Sequence, residues 1–67
     1  NENKRMSLVN LMKDLIDKSV EKEKIDFRGS VIYINTNPVL KTQIILYKKD
    51  LLDSFNSINK TSYKYIK

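Results

Sequence analysis

From about Lys4 to Val20 the apolar residues Leu8, Leu11, Met12, Leu15 and Ile16 recur at steps of three and four, with Val20 one turn further on and Val9 widening the stripe. That spacing predicts an amphipathic helix. Asn3 and Ser7 are equally suited to cap its start. The polar run Glu21-Lys22-Glu23-Lys24 marks its exit. The period then changes. Ile25 and Phe27 alternate with Asp26 and Arg28, and after Gly29-Ser30 comes the β-branched and aromatic run Val31-Ile32-Tyr33-Ile34. A tight turn at Arg28-Gly29-Ser30 makes this a β-hairpin. The alternative is one strand entered through a loop.

Asn35-Thr36-Asn37-Pro38 is the clearest punctuation in the chain. Asn37 suits a helix cap and Pro38 the first helical position, where no amide is needed. One helix is expected from Pro38 to about Ile58, with Leu40, Ile44, Tyr47, Leu51, Phe55 and Ile58 on one face and Ile45 and Leu52 broadening it. Ser62-Tyr63-Lys64-Tyr65-Ile66-Lys67 reads as a final strand. The order α, β-hairpin, α, β predicts an α/β (α+β) domain with two helices on one face of a three-stranded sheet.

With 67 residues the chain suits one domain over 1–67 and one core. It opens on Asn1 rather than Met, so an initiator or a longer N-terminal region is expected before it. So small a domain usually needs a disulfide, a metal or a partner surface. Cysteine and histidine are both absent. That excludes disulfides and effectively a structural zinc site, and leaves the packed core, self-association or docking on a larger partner. The same absences remove the usual general base and thiol nucleophile. Asp14 with Asp17, and Asp50 with Asp53, lie three apart, as on solvated helix faces. A single glycine cannot build a phosphate-cradling loop. The expectation is a non-enzyme with no cofactor, metal or small-molecule substrate. No apolar run approaches a membrane span and no signal peptide is visible, so a cytoplasmic setting is expected.

Charge adds one asymmetry. The charges of residues 1–26 cancel, and the whole net charge of +5 falls in residues 27–67. A basic half beside a neutral half suits an anionic partner, nucleic acid first. Lys41, Lys48 and Lys49 would form a basic ridge on the second helix, able to track a phosphate backbone. Arg28, Lys60 and Lys64 complete the candidate cations. The chain is also rich in Lys, Asn and Ile, whose codons are A/T-heavy, and such bias alone yields lysines. A binding patch predicts that Lys41, Lys48, Lys60 and Lys64 gather on one surface; codon bias predicts that they scatter.

The strands supply the aromatic half of the argument. If Ile32, Ile34 and Ile66 point inward, alternation places Tyr33, Tyr63 and Tyr65 on the outer face. Exposed rings with cations near them make a stacking platform for single-stranded bases. Two other readings stand beside it. The tyrosines cap the core, or the face is a contact with a second copy or a larger assembly.

The stretch from Gly29 through Asn56 resembles the core of the bacterial DciA-like family. Gly29 matches the glycine leading its strand, Leu40 and Ile44 the apolar anchors, and Gln43 the polar position before Ile44. Lys48 or Lys49 matches its lysine, Leu51-Leu52 its leucine pair, and Asn56 its asparagine; Tyr63 to Ile66 falls where the family has its last strand. The resemblance covers roughly residues 25–67. It implies a KH-like αββαβ fold, nucleic-acid binding, and association with DNA replication and its helicase. The chain departs from the pattern in having Val39-Leu40 where a bulky aromatic is usual, and in lacking the G-x-x-G loop of true KH domains.

Overall fold

The computed structural model describes residues 2–67. The first helix, α1, runs Glu2–Ile16. Asn3 and Ser7 therefore lie inside it rather than capping it, and the Ser7 hydroxyl accepts a bond from Asn59 Nδ2 at 3.0 Å. α1 stops four residues short of Val20 because Asp17 turns into the left-handed region at φ 59°, a conformation Asp tolerates and a helix cannot continue through. Val20 is still buried, but from the loop. A short 3-10 turn at Lys22–Lys24 leads into β1 (Ile25–Arg28) and β2 (Val31–Ile34).

The hairpin is present, and its antiparallel register pairs Ile25 with Ile34 and Phe27 with Ile32. Gly29 holds φ +57° with open space where a Cβ would go, so glycine is required there for its backbone and not for room. Asn37 caps the next helix as its position predicts: its Oδ1 accepts from the Leu40 amide at 2.9 Å, with Pro38 in the first turn.

The single long helix is replaced by two, α2 (Pro38–Leu46) and α3 (Lys48–Asn59), so three helices accompany the sheet and not two. Tyr47 sits between them at φ −103° and ψ 13°. Its amide is shared between the Gln43 and Ile44 carbonyls at 3.3 and 3.2 Å. A straight helix over residues 38–59 would measure about 33 Å, longer than the 29 Å longest dimension of the domain. Bending at Tyr47 keeps Ile44 buried while returning Leu51, Leu52 and Phe55 to the core. Tyr47 and Ile58, expected on the buried face, are left exposed.

The last strand, β3, is reduced to Tyr65–Ile66. It lies parallel to β2, with Val31 opposite Tyr65 and Ile32 opposite Ile66, giving sheet order β1-β2-β3. Ile25, Ile32, Ile34 and Ile66 fill the inner face and meet Leu8 and Met12 of α1, Ile44 of α2, and Leu51, Leu52 and Phe55 of α3 in one cluster. Beside it Phe27, Phe55 and Tyr63 pack as three rings with centroids 5.4 to 5.8 Å apart.

Asn56 organises the passage from α3 to β3. Its Oδ1 accepts from the Tyr63 amide at 3.0 Å and the Thr61 hydroxyl at 2.8 Å, and its Nδ2 donates to the Tyr63 carbonyl at 2.8 Å. The helix ends one turn later with Lys60 in the left-handed region. Among the described residues no helix is long and apolar enough to cross a membrane, and no cluster of acidic, Cys or His side chains suits a metal ion.

Asn56→Ala removes all three of those bonds. It is expected to cost about 2 kcal/mol and to lower Tm by roughly 10 °C, read by thermal unfolding followed by circular dichroism. A change under about 2 °C would show that the loop holds without the clamp.

Candidate nucleic-acid interface

Alternation divides the sheet cleanly. On the inner face Ile25, Ile32, Ile34 and Ile66 are buried and Phe27 is half-buried, while Asp26, Arg28, Val31, Tyr33 and Tyr65 project from the other face. Lys67 belongs with them. Its amide donates to the Ile32 carbonyl and its carbonyl accepts from the Ile34 amide, at 2.8 and 2.9 Å, which sets it opposite Tyr33. The outer face is thus a small grid. One row runs Asp26, Tyr33, Lys67 and the next Arg28, Val31, Tyr65. Tyr33, in the middle of its row, lies diagonal to Tyr65, and the two cations occupy opposite corners of the grid. Tyr33 is 39% and Tyr65 54% exposed.

Arg28 is already engaged within this grid. Its Nε donates to Asp26 Oδ2 at 2.8 Å, and its guanidinium lies 5.8 Å from the centre of the Tyr33 ring. The Asp26 pairing fixes the guanidinium over the ring and cancels one positive charge at that corner. At the other corner Lys67 is exposed.

Tyr63 is not part of this face, against the expectation from alternation. The amides of Lys64 and Tyr65 both reach the Ser30 carbonyl, at 2.8 and 3.2 Å. Two residues opposite one acceptor shift the phase of the strand by one, as a bulge does. Tyr63 therefore turns in to Phe27 and Phe55, with the Lys4 ammonium 5.7 Å from its ring centre, and Tyr65 turns out.

The candidate lysines do not gather; they scatter, as A/T-heavy codon bias predicts and a lysine patch does not. Lys41 is drawn back to the sheet, where its Nζ donates to the Ile34 carbonyl at 2.9 Å. Lys48 and Lys49 open α3, where the helix dipole disfavours cations and Asp50 is the acidic residue of the first turn. They stand about 18 Å along the helix from Lys60. Lys60 caps the other end of α3, and Lys64, whose amide donates to the Ser30 carbonyl, lies beside the hairpin turn that follows Arg28. The ridge of Lys41 with Lys48 and Lys49 is broken by the turn at Tyr47. Lys67 is absent from the candidate cations that charge alone suggests; its alternation with Tyr65, one step beyond Ile66, is the signal in the sequence that places it on this face.

No protein-family model, curated protein or solved structure matches this chain.

The geometry separates the three tyrosines by role. Tyr63→Ala should cost about 2 kcal/mol by opening the aromatic cluster. Tyr33→Ala and Tyr65→Ala should each cost less than about 1 kcal/mol. Urea unfolding checks the order, and a Tyr33 variant as damaged as the Tyr63 variant would refute the open face.

Proposed function

We propose that this chain is a non-catalytic nucleic-acid-binding domain that takes a single strand across the open face of its sheet. One observation carries the reading: Tyr33 and Tyr65 lie exposed on adjacent strands, with Arg28 and Lys67 at two opposite corners of the same grid and Asp26, paired to Arg28, at a third. Base stacking on an exposed ring contributes about 1–3 kcal/mol per base and tolerates any sequence. A flat platform needs unstacked bases, so it favours single strands over a closed duplex. Lys64, whose amide is bonded to Ser30, extends the positive rim toward the hairpin turn. The resemblance to the DciA-like family points the same way, toward DNA handled during replication in the cytoplasm, beside the helicase. Lys48 and Lys49 then contribute through the general positive field and not through contact with the stacked bases.

A second reading, a protein-interaction subunit, is favoured by a different surface. On α2, Val39 and Leu46 are 75% and 76% exposed, and Thr42 between them spends its hydroxyl on the Pro38 carbonyl. The only charge on that helix, Lys41, is turned back to Ile34. A helix apolar on both faces is ordinarily covered on both. The two surfaces are separate, so a protein contact at α2 leaves the sheet face open to a strand.

Fluorescence anisotropy with labelled single-stranded and duplex DNA and RNA, across a salt series, tests the reading. The expected result is preference for single strands, with log K falling against log salt at a slope of about −2, the value for roughly three phosphate contacts. Tighter binding to duplex than to single strands, or none at about 50 mM salt, would overturn it.

A further inference from the structure

The free edge of β1 borders an open surface cavity of about 510 Å³ whose walls include Arg5, Glu23, Lys24, Asp26, Arg28 and Tyr33. Arg5 belongs to α1, yet it lines the same cavity as the outer-face residues of the hairpin. Its Nε is shut off from solvent and meets no acceptor among the described residues. A buried charged donor without a partner costs free energy, and the half-buried Arg5 side chain recovers it by turning that donor outward to an acceptor in the cavity. Three cations face two carboxylates there, and Asp26 is already bound to Arg28. The surplus is one positive charge, which matches the single negative charge of a phosphodiester.

Resting on the single-strand reading above, we infer that this cavity is a phosphate subsite, in which Arg5 holds the phosphate next to the base stacked on Tyr33. Guanidinium donors suit phosphate oxygens in both charge and shape. Lys24 supports the same phosphate through its field, and Arg28 holds the ring in place from the neighbouring corner. The strand therefore enters over the edge of β1 and crosses toward Tyr65.

The sequence contains just two arginines, Arg5 and Arg28, so the side-chain Nε–H region of a ¹⁵N spectrum of the full chain holds two signals, assigned with Arg5→Lys. Titration with a thymidine single strand of about eight nucleotides should move the Arg5 signal. Arg5→Gln should bind that strand about tenfold more weakly, with the salt slope reduced by about 0.7, while Arg5→Lys restores the slope. Binding by wild-type protein with the Arg5 signal unmoved, and an Arg5→Gln variant of unchanged affinity and slope, would overturn the subsite and leave the single-strand reading standing. No binding of the strand by wild-type protein would remove that reading and the subsite with it. The wild-type titration decides the matter even if Arg5→Gln loses its fold.

Discussion

The side chain of Asn56 fixes how the chain closes. By bonding the amide and carbonyl of Tyr63 and the hydroxyl of Thr61, it holds the segment beyond α3, seats Tyr63 against Phe27 and Phe55, and delivers the chain to β2 in one register. The paired amides on Ser30 then shift the alternation once. From that point Ile66 must face the core, and Tyr65 and Lys67 must face away from it. A domain this small has little core to spare, and the shift lets the final segment serve both sides: one tyrosine completes the interior and the other lies open on the sheet.

Much of the architecture was legible because it rests on local chemistry. Gly29 marked the turn through a backbone conformation few other residues accept. Asn37 and Pro38 marked the start of α2 through a cap bond and a missing amide. The alternation of Ile25, Phe27, Ile32 and Ile34 marked the inner face. What stayed hidden depends on distance. Leu46, Tyr47 and Lys48 all suit a helix, and nothing in them foretells the break that returns Leu51, Leu52 and Phe55 to the core. Val20 continues the periodicity of α1 without belonging to it, because Asp17 reverses the backbone first. Tyr63 and Tyr65 share a parity, and only the long-range bonds to Asn56 and Ser30 send them to opposite sides.

The same distinction applies to the candidate site. Tyr33, Tyr65 and Arg28 follow from strand periodicity and come together. The lysines counted along the sequence do not: Lys41 is tied to a backbone carbonyl, and Lys48 and Lys49 lie at the far end of α3 from Lys60. Net charge therefore overstates how much of the positive field is focused. The open face carries a smaller group, Arg28 with Lys67 and the neighbouring Lys64, and the proposal of strand binding depends on those cations being set among exposed rings. That arrangement is the basis of the nucleic-acid proposal, while the uncharged outer side of α2 gives a protein partner a place of its own.

Chemical-shift mapping with a short single-stranded oligonucleotide tests the central claim most directly. The account predicts that the largest amide shifts fall at Arg28, Val31, Tyr33, Tyr65 and Lys67, with Lys48 and Lys49 nearly still. Shifts confined to the turn between α2 and α3, with the outer face of the sheet unchanged, would contradict it.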